Sequence, residues 1–181
     1  QGVPEGTDVA KTQLDGEPVE DVVKGAIGKI GENIVLSRAA KLDSKDGIIV
    51  SYIHPPGKIG VLVEFATNGS DLSGNADFQQ IARGVAMHVA AANPTCVTRE
   101  QVDPAALEAE KDIFRKQAQN EGKPEQMLEK IAMGKLNKFY KENTLLNQEF
   151  VKDSSMNIAQ LLEKTSKGLT VTEFKRVAIG A

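Results

Sequence analysis

Two histidines and one cysteine are the side chains here best suited to move a proton or attack a carbon, and their surroundings support neither role. His54 precedes Pro55-Pro56-Gly57, His88 sits in an alanine-rich run, and Cys96 follows Asn93-Pro94-Thr95. Zinc sites draw His and Cys in closely spaced pairs, and the sequence has no such pair. A Cys–His nucleophile needs a helix N-terminus or a neighbouring base to activate the thiol, and Cys96 shows none; it reads as a plain thiol. Gly57-Lys58-Ile59-Gly60 sets a lysine among glycines. A phosphate loop requires another glycine spacing and a Ser or Thr after the lysine, so this is a hairpin turn entering a strand. Asp71, Asp77, Glu108 and Glu110 lack a catalytic frame and read as solvated or helix-start charges. The expectation is a protein that is not an enzyme, with no catalytic residue, no metal and no cofactor.

His88 stands apart. On a helical wheel from Phe78 it falls at the edge of the apolar stripe. It is either a core-border histidine bonded to a backbone carbonyl, or a side chain presented to a partner.

The elements that must position these residues follow from hydrophobic period. From Pro18, the positions Val19, Val22, Val23, Ala26, Ile27 and Ile30 recur at helical spacing, with Pro18 in the first turn and Gly31 or Asn33 as a left-handed stop. Ile34 to Leu42 reads as a strand. Ile48 to His54 alternates, with Ile48, Val50 and Tyr52 on one face. Ile59, Val61, Val63 and Phe65 give the clearest strand of all. Short connections between strands favour an antiparallel arrangement. A helix then places Phe78, Ile81, Ala82, Val85, Val89 and Ala92 on one stripe and stops at Asn93-Pro94.

Asp103-Pro104 opens a further helix. Gly122 ends it and Pro124 starts its partner. Leu107, Phe114 and Ala118 face Leu128, Ile131, Ala132, Leu136 and Phe139 in a narrow stripe between highly charged flanks. This pair reads as an antiparallel helical hairpin projecting from the body. Residues 144–155 cross back over the body, Ile158, Leu161 and Leu162 mark a short helix, and Val171 to Ile179 alternates as a last strand. The fold class expected is α+β: an antiparallel sheet of three to four strands backed by helices, with an inserted helical hairpin at 104–141.

Composition narrows the functional classes. The chain has 181 residues, 40% of them hydrophobic, no Trp, and a formal net charge of -3. Mild acidity is the wrong sign for a nucleic-acid surface, so no direct nucleic-acid contact is expected. A single cysteine forms no intrachain disulfide, in keeping with a reducing cytoplasm. No apolar run approaches the ~20 residues that span a bilayer, so no membrane association is expected. The sequence begins at Gln1, so a cleaved or truncated N-terminus is expected.

Three motifs, in order, resemble one family. They are Lys29-Ile30-Gly31-Glu32-Asn33-Ile34, then Gly57-Lys58-Ile59-Gly60-Val61-Leu62-Val63, then Ala86-Met87-His88-Val89-Ala90-Ala91 with Pro94 shortly after. Val102-Asp103-Pro104, Gly122-Lys123-Pro124, Lys138-Phe139-Tyr140 and Leu146-Asn147-Gln148-Glu149-Phe150-Val151 extend the match. The chain resembles translation elongation factor Ts, the guanine-nucleotide exchange factor for elongation factor Tu, from about Pro18 onward. The resemblance implies residues 18–181 as its core or dimerisation domain, after a flexible remnant at 1–17. It also implies elongation factor Tu as partner, with His88, Met87 and Ala91 at the contact, and promotion of GDP release during protein biosynthesis. The family's N-terminal helical module and its Thr-Asp-Phe-Val wedge have no counterpart here; Thr7-Asp8-Val9 lacks the aromatic. A homodimer is a further expected partner, and a pure dimerisation or interaction module without exchange activity is the alternative function.

Overall fold

The computed structural model describes residues 9–180. The first part of the expected remnant at 1–17, with the Thr7-Asp8 pair, lies outside them. Near the start, Asp15 and Gly16 take positive φ in a turn that joins two short antiparallel strands, β1 (Gln13–Leu14) and β2 (Glu17–Pro18). Helix α1 (Val19–Ile30) follows, with Glu20 and Asp21 in its first turn and Lys29 in its last, the order that suits the helix dipole. Gly31 ends it at φ 77°, and its N–H bonds the Ile27 carbonyl at 2.8 Å. No residue of α1 is fully buried.

The main sheet has three strands. β3 (Gly47–His54) pairs antiparallel with β4 (Ile59–Ala66), which pairs antiparallel with the C-terminal β7 (Thr170–Ala178). The strand expected at Ile34–Leu42 does not form. Its residues cross the outer face of the sheet as irregular chain, where Arg38–Ala40 share a hollow with Ser51, Ile53, Leu62 and Val177. Arg38 donates to the Ala178 carbonyl at 2.8 Å. Strand pairing needs a free edge run in register, and this segment runs across the ladder instead. Val35 stays 72% exposed, so its apolar residues gain no core to hold them extended.

One face of the sheet is covered by α2 (Ala76–Ala92). Inward-facing Tyr52, Val61, Val63, Phe65 and Val171 pack with Phe78, Ala82, Val85 and Val89 in one cluster. The Phe65 and Phe78 rings meet edge to face at 5.5 Å, a geometry worth about 0.5–1.5 kcal/mol beyond burial. Asn75 caps α2 by accepting from the Phe78 N–H at 2.9 Å, and Asn93 ends it at φ 47°.

The helical hairpin consists of α3 (Pro104–Asn120) and α4 (Glu125–Asn143). Asp103 caps α3 by accepting from the Ala105 N–H at 3.0 Å. Ala118, Ala132 and Leu136 form its buried seam, and none of them joins the main core. Glu129 binds Lys111 at 2.8 Å and Arg115 at 2.7 Å across the pair. Those cations, Lys111 first, hold its carboxyl below the usual range.

The returning chain forms a small antiparallel ribbon, β5 (Glu149–Phe150) with β6 (Asp153–Asn157), and then α5 (Ile158–Thr165). These cover the second side of α2. Gly84 permits the approach: a Cβ there would lie 3.0 Å from the Phe150 ring.

Two expectations follow. Val85→Asp should destabilise the chain by roughly 3–5 kcal/mol, the cost of an unpaired buried charge, measured by urea unfolding. Joining Asp103 directly to Thr144 should leave the sheet–helix core with a single cooperative transition, because no residue of 104–143 contributes to the main core.

Candidate functional site

His88 is not at the border of the core. It is 1% exposed, because the returning chain closes over the side of α2 that the periodicity left open. It does not bond a backbone carbonyl either. Its Nδ1 accepts from the Val151 N–H at 3.2 Å, and its Nε2 lies 2.8 Å from Gln148 Oε1. A backbone N–H can only donate, so Nδ1 is unprotonated, Nε2 carries the hydrogen, and the ring is neutral. The Gln148 amide then donates to the Glu142 carbonyl at 2.7 Å, one of the open carbonyls in the last turn of α4. Hydrogen bonds thus run in one direction from Val151 through His88 and Gln148 to α4. Burial pushes the imidazole below its ordinary value of 6.5, and the bond to Gln148 opposes this.

His88 and Gln148 sit at the floor of an open groove of about 600 Å³. Lys138, Lys141 and Glu142 of α4 form one wall, and Glu149, Ser154, Ser155 and Asn157 the other. Among the described residues, no group of three or more His, Cys, Asp or Glu is placed to hold a metal ion, and no helix is long and apolar enough to cross a membrane. Cys96 is half-buried, and its Sγ donates to the Thr98 carbonyl at 3.2 Å.

The other two candidates occupy a different face of α2. Met87 is partly buried and Ala91 is exposed, and with Arg83 they make one i, i+4, i+8 stripe. The Arg83 guanidinium lies over the Tyr52 ring at 5.7 Å. The Tyr52 hydroxyl is 3.0 Å from His54 Nδ1. The stripe therefore continues onto the β3–β4 turn, where the exposed His54 sits. Sequence reasoning weighed His54 only as a zinc ligand. Its place before Pro55-Pro56-Gly57 was the available signal, since a side chain entering such a turn is accessible.

The family model described as Elongation factor TS matches residues 4–181. The chain belongs to the elongation factor Ts family. Proteins named elongation factor Ts from Cytophaga hutchinsonii and Clostridium botulinum are 46% and 47% identical to it over 165 and 166 residues. These alignments take in 91% and 90% of this chain but 57% and 53% of the two relatives. One from Amoebophilus asiaticus is 44% identical over 174 residues, 96% of this chain and 60% of its own length. The chain thus spans between half and two thirds of these relatives. The groove, the Arg83–Met87–Ala91 stripe and the His54 turn all lie inside the matched region.

Gln148→Leu should destabilise the chain by about 1–3 kcal/mol, because it leaves the buried His88 Nε2–H without an acceptor. Guanidinium unfolding at pH 7.5 measures this. A loss within experimental error would mean that another acceptor replaces Gln148.

Proposed function

We propose that this chain forms the core part of a guanine-nucleotide exchange factor that binds elongation factor Tu and favours its nucleotide-free state. Residues 18–181 act as the core or dimerisation domain, and the hairpin is carried as an insertion. The observation that carries the reading is the family match over nearly the whole chain. Exchange of this kind is negative coupling between two ligands of one protein: the factor weakens GDP binding, and GDP weakens the factor's binding by the same ratio. No covalent step is required.

The contact surface in this reading is the stripe of Arg83, Met87 and Ala91, continued through Tyr52 to His54. A histidine that touches a partner must be accessible. His54 is exposed, and His88 supports the helix from behind. Because the Thr-Asp-Phe-Val wedge is absent from these residues, binding without efficient GDP release is expected; only interactions that discriminate between the two states shift the equilibrium. The alternative of a dimerisation or interaction module without exchange activity draws on the outer sheet face, where Ile53 is 71% exposed.

Titration calorimetry with nucleotide-free elongation factor Tu, paired with a fluorescent-GDP release assay, tests both halves. Measurable binding with slow release is the expected result. His54→Ala and Ala91→Lys should each weaken binding by about 1–2 kcal/mol without loss of folding stability, whereas His88→Ala should lose stability. Absence of binding at tens of micromolar rejects the partner, and release as fast as with a full-length relative rejects the need for the wedge. Sedimentation at high concentration decides between a monomer and a homodimer.

A further inference from the structure

Besides the Arg99 guanidinium over the Tyr140 ring at 5.0 Å, two chemically different connections join the α4 side of the hairpin to the body. On one side, the chain leaving α4 pairs with residues 95–97: Thr95 N–H bonds the Asn143 carbonyl at 2.9 Å, Leu145 N–H the Cys96 carbonyl at 2.9 Å, and Leu146 N–H the Val97 carbonyl at 3.1 Å. Every one of these is a backbone bond. On the other side, the last turn of α4 is held through the Gln148 amide, and Gln148 is held through His88. Gln148 also fixes the start of α5, since its carbonyl accepts from the Ile158 N–H at 3.1 Å. The first connection runs through backbone groups, which do not titrate. The second runs through a buried imidazole that must stay neutral, since a proton on Nδ1 would face the Val151 N–H donor to donor and place a charge in the core.

We propose that His88 is an acid-released strut between α2 and the returning chain: while the ring is neutral its Nδ1 holds the Val151 N–H and with it the β5–β6 ribbon on α2, and when the ring is protonated that contact is lost, while the Nε2–H bond to Gln148 and the 95–97/143–146 hinge keep the end of α4 in place. The β5–β6 ribbon then lifts at Val151, and the groove beside His88 widens. The strut requires only this chain's own contacts and stands whatever the partner is.

Linkage gives the direction. His88 is neutral-favouring when folded, so the strut is intact above the ring's ordinary value of 6.5 and weakens as pH falls from there through its lowered folded value. In that window the opening constant rises by up to about tenfold per pH unit. Other charged groups around the groove are Lys138, Lys141 and Glu142 from α4, Glu149 from β5 and Lys152 from the β5–β6 turn, which approaches Gly84. Glu142 is within 3.7 Å of Lys138.

Amide hydrogen exchange on the full chain from pH 8 downward, corrected for intrinsic rates, tests the strut. Protection at Val151 should fall by up to about tenfold per unit below pH 6.5, while Leu145 and Leu146 of the hinge and Val63 and Phe174 of the sheet keep theirs. In His88→Gln, which cannot titrate, the acid step at Val151 should vanish. If that variant retains the step, a groove carboxylate is responsible and the strut is overturned. Loss of protection at hinge, sheet and Val151 together overturns it too, as plain acid unfolding. Should His88→Gln fail to fold, long-range nitrogen–proton correlation on the native ring decides. An Nε2–H tautomer with a midpoint matching the Val151 step supports the strut; an Nδ1–H tautomer or a mismatched midpoint overturns it.

Discussion

Everything in this molecule depends on the burial of α2 from two sides. A helix with one apolar stripe packs on a sheet and shows water its polar back. Helix α2 has little polar back to show: Gly84, Ala86, His88 and Ala90 are buried along with the stripe that meets the sheet. Alanine and glycine supply little apolar area, but they let a second layer come close. The chain after the hairpin supplies that layer, with Phe150 seated at Gly84 and Ile158, Leu161 and Leu162 completing the cluster. The sheet, helix α2 and the returning chain are therefore one cooperative unit.

The hairpin has a different status. Its seam is thin, and its cross-links are exposed ion pairs, each worth ~0–1 kcal/mol in water. Its stiffness relative to the body comes from its base. There, backbone bridges to 95–97 and the His88–Gln148 chain meet the end of α4 from opposite sides. Asn143 and Thr144 belong to this base as well: the Asn143 amide bonds the Phe139 carbonyl at 2.8 Å and the Thr144 hydroxyl the Tyr140 carbonyl at 2.8 Å, closing the last turn of α4. The groove lies where α2, the end of α4 and the β5–β6 ribbon converge.

The two histidines show how much a helical wheel conveys and where it stops. The wheel placed His88 correctly relative to Phe78, Val85 and Val89, at the edge of the sheet-facing stripe. It assumed that the other side met solvent. Whether that side is covered depends on residues 144–158, whose sequence has no period to announce what they will cover. His54, set before two prolines and a glycine, was legible as accessible, but its connection through Tyr52 and Arg83 to the exposed stripe of α2 joins residues far apart in sequence.

Local pattern determined the elements themselves. Alternation at Ile48–His54, Ile59–Phe65 and Val171–Ile179, the 3.6 period from Phe78, and the caps at Asp103 and Gly31 act within a few residues, so the sequence alone defines them. The apolar residues misled at Ile34–Leu42, because apolar content makes a strand only where an edge stands in register to receive it. The edge pairing of β4 with β7, the covering of His88, and the joining of the groove from α2, α4 and β5 were decided by tertiary structure. Each depends on long-range burial, in which a residue's surroundings come from chain segments that its own neighbours do not specify.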